Sequence, residues 1–182
     1  MAAMPNTPAP ARTASTDSVS PAVSPAAGSS SAYQLAQLNV AQLRAPIDSP
    51  QLADFVAGLH KINQLAEASP GFVWRLIGDE ANPDATYEPA VFAADVLVNL
   101  SVWADIDTLW DFAYRGPHLD YLRRRGEWFG DIGERSQVMW WVPAGHRPTE
   151  QEGAERLELL RRNGPSPEAF TFRQRHPAPD AG

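Results

Sequence analysis

Four short stretches of this chain alternate their side chains with period two, and stretches of helical spacing interrupt them after the first and the third; that order restricts the fold more than any other feature. YQLAQLNV, starting at residue 33, sets Ala36, Leu38 and Val40 on one face and Leu35, Gln37 and Asn39 on the other. FVWRLIG at 72–78 is rich in aromatic and β-branched residues and reads as a second strand. DVLVNLSVW at 95–103 opposes Val96, Val98, Leu100 and Val102 to Leu97, Asn99, Ser101 and Trp103, so its two faces meet different environments. SQVMWWVP at 136–143 is the fourth strand, ended by proline, and its neighbours Trp140 and Trp141 must point to opposite faces.

The helical segments carry their own punctuation. Ser49 is an N-cap candidate before Pro50, and Leu52, Phe55, Val56, Leu59 and Ile62 follow at helical spacing until Pro70-Gly71. Asp105 can cap a second helix in which Ile106, Leu109, Trp110 and Ala113 share a face; Gly116-Pro117 breaks it, and it restarts through roughly residue 125. Thr149 and Glu152 form a capping-box pattern for a last helix that closes at Asn163-Gly164. Residues 79–89, with Asn82-Pro83 and Glu88-Pro89, read as a polar loop.

The resulting β-α-β-β-α-β order predicts an α+β chain of the ferredoxin-like kind: a four-stranded antiparallel sheet, helices on one face, and an extra C-terminal helix. The second face is then expected to lie open. Leaving Trp103 and one of Trp140 and Trp141 in water there costs roughly 25 cal/mol per Å² of apolar surface, so a homodimer is the expected cover.

Composition narrows the rest. Residues 1–31 are largely Ala, Ser, Thr and Pro and cannot bury enough surface to offset their ordering entropy, so they are expected to be a disordered tail. One domain is expected over 32–173, then a flexible tail over 174–182. The chain has no cysteine, which excludes disulfides, thiolate nucleophiles and thiolate metal sites. A formal charge of -7 repels phosphate backbones and anionic lipid, so no nucleic acid and no membrane partner is expected. No apolar run approaches the roughly 20 residues of a membrane helix, and the N-terminus lacks a secretory layout, so a cytoplasmic location is the expectation.

Three strings carry a resemblance: NLSVW at 99–103, AYRGPHLDYLRRRGEWF at 113–129 and MWWVPAGHRPT at 139–149. Together they resemble the bacterial domain-of-unknown-function family 3291, of the dimeric α/β-barrel superfamily, over nearly all of 33–172. The resemblance implies a homodimer whose two sheets face each other around a barrel, with a cavity in each half, and no established activity. Members elsewhere in that superfamily include cofactor-independent monooxygenases, muconolactone isomerases, chlorite dismutases, dye-decolourising peroxidases and haem-dependent aldoxime dehydratases. Such breadth forbids copying a function from the fold.

The residues themselves offer a stripe. His118, Tyr121, Arg125 and Trp128 fall at i, i+3, i+7 and i+10, so a continuous helix sets an imidazole, a phenol, a guanidinium and an indole on one side. His118 sits in the first turn, where the helix dipole disfavours imidazolium and keeps a base available; packing of Tyr121 and Trp128 on the sheet is the competing role. Three consecutive arginines, 123–125, point about 100° apart, so at most one or two can face a ligand. Arg75 and Asn99 interrupt apolar strands, and each must line a wet cavity or pair with the other, Gln37 or Asn39.

The catalytic candidates are therefore His118 as proton acceptor with Tyr121 or Asn99 as hydrogen-bond donor; the ligand-binding candidates are Arg75, Trp103, Arg125, Trp128 and Trp141. No histidine pair has metal-site spacing, and no nucleotide loop or nucleophile elbow is present, so no metal and no cofactor is expected. The leading expectation is a domain that binds an apolar, aromatic small molecule and performs cofactor-free oxygenation or isomerisation. Two alternatives stand beside it: a non-catalytic dimeric binding or structural module, and a haem enzyme with His118 as axial ligand.

Overall fold

The computed structural model describes residues 31–78 and 91–180. Most of the N-terminal tail expectation (1–30) and the polar loop between the second and third strands lie outside the described residues. The elements run β1 (Tyr33–Gln42), α1 (Ala53–Glu67), β2 (Phe72–Arg75), β3 (Val96–Trp103), α2 (Ile106–Arg115), α3 (His118–Trp128), β4 (Gln137–Pro143) and α4 (Glu150–Asn163). The sheet order is β2-β3-β1-β4 with every pairing antiparallel, which is the ferredoxin-like arrangement the segment order predicts.

Period-two alternation divides each strand between two layers. Leu38, Leu100 and Val138 point to one face, where they pack with Trp140 and with Leu157 and Leu160 of α4. Leu35, Trp103 and Met139 point to the other, where they meet Leu109 of α2 and Ala66 of α1, while Leu97 meets Trp128 of α3. Gly153 lets α4 settle onto β1: a Cβ there would stand 3.2 Å from Leu38 Cδ1, so the missing side chain sets the closeness of that layer.

The expectation of an open second face is overturned. The C-terminal helix turns back over it, so Trp140 is 1% exposed within a single chain. Trp103 is covered from the opposite side, by α1 and α2. The physical reason is that the last helix, amphipathic through Gly153, Leu157 and Leu160, packs on that face.

Local signals held unevenly. Asp105 caps α2 in a reciprocal box, its Oδ1 accepting from Thr108 N at 2.8 Å and its own N–H donating to Thr108 Oγ1. Thr149 Oγ1 accepts from Glu152 N at 3.1 Å, but the Glu152 carboxylate turns away to Trp140 Nε1 and His146 Nε2, both at 2.8 Å, so only half of that box forms. Ser49 makes no side-chain cap; Pro50–Leu52 is a 3-10 turn that leads into α1. Helix α3 continues past Gly126 to Trp128, and β2 stops at Arg75 rather than 78.

The segment after α4 returns to the sheet. Phe170 exchanges both backbone hydrogen bonds with Met139 on the outer edge of β4. Within the stretch expected to be a flexible tail, Arg175 pairs with Asp107 at 3.0 Å, and the His176 carbonyl accepts from Trp141 Nε1 at 2.9 Å. Among the described residues no helix is long and apolar enough to cross a membrane.

Candidate functional site

Helices α1, α2 and α3 stand off the face they cover, and the gap is a cavity of about 670 Å³. Its floor is the sheet. Antiparallel register sets Asn39 opposite Gln137 of β4 and Asn99 of β3, and sets Gln37 opposite Ser101, which in turn pairs with Arg75 of β2. Its roof is largely apolar, from Phe55, Leu59 and Ile62 of α1 and from Tyr121 and Leu122 of α3. Asn99 is exposed although it lies in the middle of a central strand, because it looks into this open space.

One part of the floor is locked. Trp103 Nε1 donates to Ser101 Oγ at 3.0 Å, Ser101 Oγ donates to Gln37 Oε1, and Gln37 Nε2 donates to the Asn99 carbonyl, the last two at 3.4 Å. This chain lets an indole, a hydroxyl and an amide be buried at once without an orphaned group. Arg75 donates to Glu67 Oε1 at 2.8 Å across the cavity's end, so its charge is balanced by α1.

His118 begins α3, directly after the Gly116-Pro117 break, and lines both the large cavity and a smaller pocket of about 240 Å³ bounded by Pro70, Thr108 and Arg115. Its Nδ1 lies 3.3 Å from the Ala113 carbonyl. A carbonyl only accepts, so Nδ1 carries the proton and Nε2 keeps a lone pair. Burial lowers the imidazole pKa from its ordinary value, and the Ala113 hydrogen bond offsets this only in part. The neutral ring argued from the helix dipole thus has desolvation as its main cause. Phe112 lies against it with the ring tilted, centroids 4.7 Å apart, and in turn stacks on Trp103 at 5.1 Å.

Tyr121 lies against α1, occupying the space that a Cβ on Gly58 would need. Trp128 is 2% exposed and joins Phe55 at 5.6 Å and Tyr121 at 6.0 Å, while the Arg124 guanidinium covers its ring at 4.8 Å. The arginine triplet separates as its 100° spacing requires. Arg123 pairs with Asp120, Arg124 with Glu127 and Asp54, and Arg125 lines the cavity. The hydrogen bond to Glu127, with Asp54 second, raises the pKa of Arg124.

Seven of the eight sequence candidates therefore meet in one space: His118, Tyr121, Asn99, Arg75, Trp103, Arg125 and Trp128 all line the cavity. Trp141 does not. It shares the sheet face but sits at the far end, with its ring tilted against Phe170 at 6.4 Å and its N–H given to the C-terminal arm.

The sequence model of the family described as Domain of unknown function (DUF3291) matches residues 34–182. The chain belongs to this family. Among solved structures this DUF3291 chain is similar to the NE2512 protein of unknown function from Nitrosomonas europaea, at 14% identity and TM-score 0.41, covering 65% of this chain and 95% of that one. It is also similar to SnoaB, a cofactor-independent oxygenase from Streptomyces nogalater, at 16% identity and TM-score 0.40, covering 64% and 96%. No curated protein matches it.

Gln37, Asn39 and Gln137 also line the cavity, and none of them is among the site residues expected from the sequence. Gln37 and Asn39 were visible only as possible partners of Asn99, and Gln137 carried no signal of its own. Their polar character within β-branched strands was the available clue, and the register that aligns them is a property of pairing rather than of any one strand.

Proposed function

We propose that this DUF3291 domain binds a small molecule in the cavity between sheet and helices, and that His118 serves there as a proton acceptor. The observation that carries this reading is a neutral, half-buried imidazole whose Nδ1 is fixed by the Ala113 carbonyl at the wall of a 670 Å³ cavity. Held in that tautomer, Nε2 can take a proton from a C–H or O–H made acidic by a neighbouring carbonyl. Tyr121 or Asn99 would donate a hydrogen bond to the resulting anion. Proton removal is the step shared by isomerisation, in which the proton returns at another carbon, and cofactor-free oxygenation, in which dioxygen adds to the carbanion. The largely apolar roof suits the expected apolar ligand, and the amides of the floor offer it hydrogen bonds as well.

Assembly is a separate matter. A homodimer that leaves the mouth of the cavity free would not alter its lining, which one chain supplies by itself.

The test is a fluorescence titration with N-phenyl-1-naphthylamine, a neutral apolar dye that brightens when removed from water. Wild-type protein should bind it saturably, and Asn99→Trp, which fills the floor, should weaken binding by about tenfold, or about 1.4 kcal/mol. Equal binding by both proteins contradicts the assignment of the cavity. For the base, native protein should speed proton–deuterium exchange at the acidic carbon of a bound 1,3-diketone, with His118→Gln losing the acceleration while still binding the dye. Exchange unchanged in His118→Gln removes the histidine from that role.

A further inference from the structure

We propose that the cavity selects an uncharged ligand through a row of three side-chain amides, Gln137, Asn39 and Asn99, which read alternating oxygen or nitrogen donors and acceptors along one edge of the molecule. This rests on the reading that the cavity binds a small molecule, and it names the chemistry that such a molecule must carry.

Register builds the row. Asn39 of β1 is flanked directly by Gln137 on one side and Asn99 on the other, and neighbouring strands lie about 4.8 Å apart, so the three residues span roughly 10 Å across the centre of the sheet. All three lie on the face that looks into the cavity. Asn39 lies between Leu38 and Val40 and Asn99 between Val98 and Leu100, and asparagine is a poor strand former, so sheet formation does not explain the presence of these two.

The neighbouring row shows what satisfied polar groups look like here. Gln37 spends both ends of its amide on Ser101 and on the Asn99 backbone. The side chains of Gln137, Asn39 and Asn99 make no such bond to any described residue. An amide facing an apolar roof without a protein partner is held ready to bond something that enters.

Charge complementarity sets the sign. The floor next to the row carries no unbalanced charge, because Arg75 is paired with Glu67. At the cavity's rim stand Arg44 and Arg125 together with Asp131 and Glu134, two of each sign, with Glu134 also pairing with Arg161 at 3.4 Å. An ionised ligand would lose water over the row without meeting an opposite charge there. An uncharged ligand gains about 1 kcal/mol for each hydrogen bond to an amide and loses little by desolvation. Opposite the row, Leu59, Ile62 and Leu122 face the cavity, so the other side of the ligand is apolar.

Four probes on one skeleton test the inference by displacement of N-phenyl-1-naphthylamine: 2-naphthamide, naphthalene, 2-naphthoate and 2-naphthylmethylammonium. The naphthamide should bind roughly tenfold more tightly than each of the other three, the worth of one to two hydrogen bonds. Asn39→Leu and Asn99→Leu should each shrink that preference by roughly fivefold while leaving naphthalene affinity within about twofold; Gln137→Met, on the outer strand, gives the same reading should either leucine variant fail to fold. Tightest binding by the naphthoate or the ammonium, or a naphthamide preference that survives all the substitutions, overturns the amide row while leaving the cavity as a binding site. Absence of dye binding to the wild type overturns both.

Discussion

The two faces of the sheet are made from alternate residues of the same four strands, yet one is closed and the other is hollow. On the closed face Leu38, Leu100 and Val138 meet Leu157 and Leu160 of α4, and Gly153 lets the helix come close. On the hollow face Asn39, Asn99 and Gln137 replace aliphatic side chains, and three helices bridge the space above them from its margins. Both faces lie under helices, so cover alone does not make a site. What separates them is the content of every second residue: one alternate set is largely apolar, while the other carries Gln37, Asn39, Asn99 and Gln137 at its centre.

That contrast predicts opposite responses to substitution. Leu157→Ala and Leu160→Ala, at side chains 0% exposed, should each cost about 2–5 kcal/mol in urea unfolding. Asn39→Leu and Asn99→Leu, across the sheet, should change stability by less than about 1 kcal/mol in either direction, since no protein hydrogen bond is lost. Equal losses on both faces would break the comparison.

Gly58 sharpens it from the roof. Gly58→Leu removes the space that Tyr121 occupies and should destabilise the fold by about 1–3 kcal/mol, because Tyr121 must leave its place against α1. A variant as stable as the wild type would show that the phenol is free to move. Below this, Asp105→Ala should cost about 1 kcal/mol through the lost cap of α2, and chemical denaturation reads it directly.

His118 contributes a pH dependence. Its folded pKa lies below the unfolded value near 6.5, so below that value the unfolded chain binds more protons than the folded one. The contribution is therefore fully present above about pH 6.5 and is lost as the pH falls toward the depressed folded value. His118→Gln should flatten the wild-type decline in stability over that window, and an unchanged slope would place the titrating group elsewhere.

Much of this was legible in the sequence, for identifiable reasons. Strand alternation is a local property, so the two-faced character of β1 and β3 and the ferredoxin-like order could be read from single segments. The arginine triplet was also legible, because the 100° step separates its members whatever they meet. The fate of α4 was not: its apolar stripe shows that it packs, but not on which side of the sheet. That gap produced the expectation of an uncovered face. Glu152 was read as half of a capping box, but Trp140 on β4 and His146 in the loop before α4 compete for its carboxylate. Trp141 has the alternation of a cavity wall and only the strand's end, with the returning arm, removes it from one.

The most direct test of the hollow face is nuclear magnetic resonance titration of wild-type protein with 2-naphthamide, following side-chain amide groups and leucine methyls together. The account predicts saturable shifts at the NH2 groups of Asn39, Asn99 and Gln137, with the methyls of Leu157 and Leu160 unmoved. Shifts confined to the leucines under α4, or amide resonances that stay in place at saturation, would contradict it.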